Sequence, residues 1–174
     1  MISVIMLTYN REHLVSRAIE SILAQTYRDF EFLIVDNGST DKSGAIADAY
    51  AAGDPRTRVI HRERGNIGAG RNTGLNAARG EYIAFIDDDD WAEPDFLAFL
   101  VDLLEENRAD MAICGAEGKA FDEKRVMGPE EALIELMWRK YYTSGFPVKL
   151  FRRTLMERLR FSETDHYDDI GLIY

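Results

Sequence analysis

The chain has 174 residues, 46% of them hydrophobic, enough for one domain with a real core. A formal net charge of -10 and a pI near 4.8 argue against nucleic acid as a partner, since that affinity comes largely from neutralising phosphates. A single cysteine, Cys114 in the apolar stretch Met111–Cys114, excludes an intramolecular disulfide and fits a buried small hydrophobe in a reducing compartment.

Short β-branched runs alternate with segments of helical period, the pattern of βαβ units around a parallel sheet. Met1 runs straight into the apolar stretch Ile2 to Leu7, which has no basic flank or cleavage site and predicts no signal peptide. Val4 to Leu7 reads as a first strand. Leu14, Ala18 and Ile22, with Val15, Ile19 and Leu23, then give the next segment one apolar helical face. Phe32 to Val35 is a strand apolar on both sides, as a central parallel strand should be. Ser39 or Thr40 is expected to cap a helix through Tyr50, ended by Gly53-Asp54-Pro55.

Arg58 to His61 is a weaker strand, and a helix is expected near Arg71 to Ala78. Tyr82 to Ile86 forms the next strand, and Pro94 suits the first turn of a helix carrying Phe96, Leu97, Leu100, Leu103 and Leu104 inward. Met111 to Cys114 reads as a strand, Pro129 to Trp138 as a helix, Phe146 to Phe151 as extended, and Thr154 to Arg160 as helical. No apolar run approaches the length of a membrane span.

Four consecutive aspartates, Asp87 to Asp90, follow the Tyr82 strand directly. Adjacent carboxylates repel, and hard cations such as Mg or Mn take oxygen ligands and keep positions for phosphate and water. In an extended segment Asp87 and Asp89 would address one group while Asp88 and Asp90 face elsewhere. The alternative is an acidic surface turn, disfavoured by the apolar residues on both flanks.

In an open parallel sheet the carboxyl ends of the strands lie along one edge, where ligands bind. Three strands here end in polar clusters: Thr8-Tyr9-Asn10-Arg11, Asp36-Asn37-Gly38-Ser39 and the aspartate run. Singly, Asn10 and Ser39 read as turn or cap residues; together the clusters point to an anionic ligand such as a nucleotide, bridged by metal. The passage Gly65 to Asn72 could bring a helix N-terminus near phosphates, with Arg71 at the helix start placed to pair with an acid or a diphosphate. Its glycine spacing is not the dinucleotide fingerprint, and no P-loop is present.

Ser3–Met6 with Tyr9-Asn10-Arg11, Ser21 to Tyr27, Val35 to Asp41, Arg71-Asn72-Thr73-Gly74 and Gly80 to Asp87 closely resemble family 2 glycosyltransferases. The resemblance implies an α/β single domain of the GT-A (Rossmann-like) fold, with a mostly parallel central sheet flanked by helices. It implies an inverting transferase using a nucleotide-diphosphate sugar, UDP-linked by preference, a divalent metal (Mn or Mg) and a glycan or lipid-linked acceptor. Thr8, Tyr9, Asn10 and Arg11 would border the nucleobase, and Asp36 and Asn37 would bond base or ribose. Arg71 would hold the nucleotide, Asp87 and Asp88 would lie by ribose and diphosphate, and Asp89 would be the metal ligand. The late acidic pair Asp168-Asp169 takes the place of the catalytic base, assigned to Asp169. Asn37 and Asp168 depart from the family's usual aspartate and glutamate, and Asp88 from its usual small residue.

On this reading residues 1–114 form the nucleotide-sugar-binding core and 115–174 an acceptor-side portion of the same domain, ending five residues after Asp169 and short of the acceptor-binding elements common in the family. The expected location is cytoplasmic, with peripheral contact at the inner membrane face; the acceptor and oligomeric state are left open. Trp91 could line a sugar pocket or simply pack, and His166 could bind metal or be exposed. The basic stretch Lys149 to Arg160 could meet a diphosphate or lipid headgroup, or be a solvated face. Two other classes compete: a sugar-phosphate nucleotidyltransferase, disfavoured because Tyr9-Asn10-Arg11 stands where its basic glycine-rich loop belongs, and a nucleotide-binding module without turnover.

Overall fold

The computed structural model describes residues 1–116, 123–138, 145–157 and 159–164. Its centre is a six-stranded sheet in the order β3-β2-β1-β4-β6-β5. The strands are β1 (Ile2–Thr8), β2 (Phe30–Asp36), β3 (Thr57–His61), β4 (Tyr82–Asp87), β5 (Met111–Ile113) and β6 (Lys149–Arg152). β1 pairs in parallel with both β2 and β4, and β2 with β3; β6 alone runs against its neighbours β4 and β5. The sheet is mostly parallel, as expected; β6, within the stretch read as extended, is antiparallel to both neighbours.

Helices α1 (Val15–Leu23), α2 (Ser43–Gly53), α3 (Ile67–Ala77) and α4 (Phe96–Glu106) cover the sheet, with α5 (Pro129–Trp138) and α6 (Arg153–Met156) later in the chain. Strand alternation sorts the core into two layers. Ile2, Val4 and Met6 of β1, Phe32 and Ile34 of β2, and Tyr82, Ala84 and Ile86 of β4 pack with Val15, Ile19 and Ile22 of α1 and Leu97, Leu100 and Leu104 of α4. The opposite face carries Ile5, Leu33, Ile83 and Phe85 against Phe146, Phe151, Met156 and Phe161. Phe85 meets Phe146 and Phe161 edge-on at 5.4 and 5.6 Å, contacts worth about 0.5–1.5 kcal/mol each beyond area burial.

α3 lies unusually close to the sheet because Gly70 and Gly74 face β1. A Cβ at Gly70 would overlap the Leu7 side chain, and one at Gly74 that of Ile5. The helix starts earlier than the sequence suggested: Asn66 is its cap, accepting from Ala69 N at 2.8 Å, so Arg71 sits a turn inside it. Ser39 and Thr40 do not cap α2, which begins at Ser43; Asp41 accepts from Ser43 N at 2.9 Å, while Ser39 and Thr40 are held by Asn10. Among the described residues no helix is long and apolar enough to cross a membrane.

Candidate active site

β2, β1 and β4 are adjacent, so their carboxyl ends meet at one edge: Thr8 is paired with Asp36 and Leu7 with Asp87. Here the order of connections reverses, β1 leading to β2 on one side while β4 returns on the other. Such a switch point opens a crevice above the strand ends.

Strand alternation ends at Asp87. Asp90 N donates to Asp87 O at 3.2 Å, closing a turn, so the aspartates are not an extended ladder. Asp88 turns inward, 9% exposed, accepting from Tyr9 N at 3.3 Å and lying 3.6 Å from Arg11 Nε. Burial raises its pKa above the ordinary carboxylate value, opposed by the Thr8 hydroxyl, the Tyr9 N–H and Arg11. The Thr8 hydroxyl itself is buried and lies outside hydrogen-bond geometry with any described group. Asp87 points to the opposite layer, where Arg71 Nη2 approaches it at 3.4 Å, and the Arg71 guanidinium lies 5.3 Å from the Phe161 ring. Asp89 and Asp90 are exposed. The pKa of Asp90 is raised first by burial and then by the charges of Asp87 and Asp89.

Among the described residues no group of three His, Cys, Asp or Glu side chains could cage a metal ion. The turn nevertheless supplies mutually repelling, all-oxygen donors at its exposed tip. That donor set fits a hard cation whose remaining positions are filled by ligand phosphates and water.

The second cluster is more occupied than the sequence suggested. Asp36 is 6% exposed; its Oδ1 accepts from Ser39 N and its Oδ2 lies 3.0 Å from His61 Nδ1. His61 Nε2 is 3.0 Å from Asp48 Oδ1, so the imidazole bridges β2 to α2, and the Asp36 and Asp48 carboxylates raise its pKa above 6.5. α2 approaches because Gly44 has no side chain: a Cβ there would stand 2.6 Å from Asp36 Oδ2. Asn37 is saturated by the following loop, accepting from Gly65 N and Arg62 Nη1 and donating to Gly65 O at 2.9 Å. Arg64 lies over the Tyr9 ring at 4.4 Å.

Asn10 adopts φ 53, the left-handed region that asparagine tolerates, and its Oδ1 accepts from Thr40 N at 2.8 Å. Arg11 N donates to Ser43 Oγ at 2.7 Å and Glu12 N to Asp41 Oδ2 at 3.0 Å, zipping the first polar cluster to the second. Asn10 therefore spends its side-chain oxygen, and Asn37 both ends of its amide, on loop geometry.

The start of α3 is covered. Asn66 Nδ2 donates to Ser162 O, and a Cβ at Gly68 would run into the same carbonyl. Asn72, 4% exposed, accepts from Phe161 N and donates to Phe161 O and Glu163 Oε1. The glycine-rich passage, which could bring a helix N-terminus near phosphates, thus receives the 161–163 segment at that end. Asp168, Asp169 and His166 lie outside the described residues.

Trp91 is 43% exposed with the Arg17 guanidinium 3.4 Å over its ring. Among the described residues the basic side chains of this stretch go separate ways: Lys149 is buried and donates to Gly145 O, Arg152 reaches Glu81, Arg153 reaches Glu157, and Arg160 bonds the Leu159 carbonyl. β6 and the short α6 turn these side chains in different directions. Sequence reasoning does not single out His61, Asn72, Ser21 or Gln25 as site residues; the only signal for the last three is their place inside ordered motifs.

Residues 3–165 match the family described as Glycosyl transferase family 2. The chain is 34% identical over 189 residues to the glycosyltransferase GlyG of Streptococcus pneumoniae, covering 97% of this chain and 62% of that protein. It spans only 25% of a second relative, GlyA of the same organism, to which it is 33% identical. Among solved structures, S. aureus TarS 1-349 in complex with UDP superposes with a TM-score of 0.80 at 25% identity, over 99% of this chain and 53% of that one. The mannosyltransferase PcManGT from Pyrobaculum calidifontis, in complex with GDP-Man and Mn2+, gives 0.74 at 26% identity, over 98% of this chain and 50% of that one. The fold is the GT-A fold of these neighbours.

Proposed function

The chain belongs to glycosyl transferase family 2, and from that membership we propose that it binds a nucleoside-diphosphate sugar, UDP-linked by preference, and transfers the sugar with inversion to a glycan or lipid-linked acceptor. One observation carries the reading: the register that sets Thr8 beside Asp36 and Leu7 beside Asp87 gathers all three polar strand ends at the switch point. The UDP and GDP-mannose complexes of its structural neighbours support the donor class.

In this proposal the base and ribose sit between Thr8, Tyr9, Arg11 and Asp36, while Asn10 and Asn37 hold the loops that shape that space. Arg71, steered by Asp87, faces the nucleotide from the α3 side. Asp88 ties β4 to β1 and so fixes the turn, and Asp89 at its exposed tip holds the metal. A bound divalent cation supplies charge stabilisation for the departing diphosphate. Asp169 is proposed as the base that takes the acceptor proton while its oxygen attacks the anomeric carbon opposite the leaving group. Such a base contributes about 10²–10⁴-fold.

Calorimetry of UDP binding with and without manganese, on the native chain and on Asp89→Ala, tests the binding half. Tight manganese-dependent binding that the substitution abolishes is expected; equal affinity in the two proteins would remove the metal assignment. Asp169→Asn should retain UDP binding and lose transfer.

A further inference from the structure

We infer that Gln25, together with Ser21, is a positioning residue for the acidic turn, fixing how Asp89 and Asp90 are presented to a cation; the inference rests on the donor-binding reading above.

Gln25 is fully buried near the end of α1, yet none of its polar capacity is spent on another side chain. Its Nε2 donates to Ser21 O at 3.0 Å and to Glu93 O at 2.7 Å, and its Oε1 accepts from Leu97 N at 2.9 Å. Ser21 Oγ accepts from Ala92 N at 3.1 Å, and Thr26 N donates to Pro94 O at 2.7 Å. Four bonds from one helix end thus hold the backbone between Trp91 and Leu97, the segment that begins where the aspartates stop.

Apart from the core packing of Ala92, Phe96 and Leu97 and the Phe96 N to Glu93 O bond, these four bonds define the path of the segment. α4 has no side-chain cap of its own at Asp95, and Leu97 is in its first turn, where N–H groups lack helical acceptors. Gln25 supplies that acceptor from a different helix. On the other flank, Asp88 is held by Tyr9 N and Arg11. The exposed Asp89 and Asp90 therefore lie between two anchored points, one just after β1 and one at the C-terminal end of α1. Side chains that bond the surroundings of a metal ligand rather than the metal commonly set its affinity.

The test uses the whole chain saturated with UDP, titrated with MnCl2 and followed by calorimetry and by the Mn(II) electron paramagnetic resonance signal, alongside thermal melts. Gln25→Met removes the amide at similar length, and Ser21→Ala removes the acceptor for Ala92 N together with the hydroxyl's own bond to Ala18 O, with little change of volume. Manganese affinity should weaken about tenfold in Gln25→Met and by a smaller factor in Ser21→Ala, with a broadened resonance. Met111→Ala at the far edge of the sheet should lower the melting temperature without moving manganese affinity. Native-like manganese affinity in both variants, despite a lowered melting temperature, would overturn the inference while leaving the donor-binding reading intact. Absence of manganese-dependent UDP binding in the unmodified chain would overturn both. If Gln25→Met does not fold, Ser21→Ala decides.

Discussion

The carboxylate of Asp88 accepts the backbone N–H of Tyr9 at 3.3 Å, tying the end of β4 to the end of β1. Two of the three polar clusters are thereby locked by a single buried acid, whose second contact is Arg11 at 3.6 Å. Asp88→Asn keeps an acceptor oxygen for Tyr9, whereas Asp88→Ala orphans that N–H, at a cost of about 1–3 kcal/mol. Urea denaturation should rank the native chain above Asp88→Asn and both above Asp88→Ala. Equal losses in the two variants would assign the effect to the Arg11 contact instead.

Asn72 answers both backbone groups of Phe161 and also Glu163, at 2.9 to 3.0 Å. Asn72→Ala should lower stability by about 1–3 kcal/mol for each group left unsatisfied and weaken UDP binding, because Phe161 flanks Arg71. Asn72→Asp should be worse at neutral pH, since its carboxylate would confront Glu163, and should recover in acid. Melting curves and calorimetry on both variants check this.

Two glycines of α2 make a matched pair. Alanine in a helix interior is usually favoured over glycine by about 1 kcal/mol. At Gly53 an added Cβ would have nothing within 4 Å, so Gly53→Ala should be neutral or stabilising. At Gly44 the added carbon would stand 2.6 Å from Asp36 Oδ2 and 3.3 Å from His61 Cε1. Gly44→Ala should therefore destabilise and reduce nucleotide affinity, read as opposite shifts in melting temperature within one helix.

His61 carries a pH dependence. Hydrogen bonding to Asp36 first and Asp48 second raises its pKa above 6.5 in the fold. The charged imidazole is the form the fold favours, so its contribution is complete below about pH 6.5 and fades as pH rises through the elevated value. With His61 51% exposed, solvent screening keeps the effect small. The melting-temperature advantage of the native chain over His61→Gln should shrink as pH rises above about 6.5; a constant difference would place the contribution in packing rather than charge.

The layered architecture could be read from the chain because its cause is local. Phe32-Leu33-Ile34-Val35 is apolar on both faces, and β2 is covered on both. The three polar strand ends were legible for the same reason: register carries Thr8, Asp36 and Asp87 to one edge once the strands are parallel. What escaped depends on contacts far apart in sequence. Nothing near Gln25 indicates that its amide will serve Leu97, nor near Asn72 that it will serve Phe161. The aspartate run misled because periodicity assumes an extended chain, and the strand ends at its first member. Asn37 reads as a ligand group from its place in the motif beside Asp36, and its engagement with Gly65 is visible only in three dimensions.

Among the described strands β5 pairs with β6, its antiparallel neighbour at the edge of the sheet. On the ribosome Met111–Ile113 emerges well before Lys149–Arg152, and at about 5–20 residues per second that delay lasts seconds. The sheet itself spans the division at residue 114 expected from the sequence. Throughout that interval β4 presents a bare flank to the cell, so folding is completed by the same late stretch of chain that brings Phe161 to Arg71.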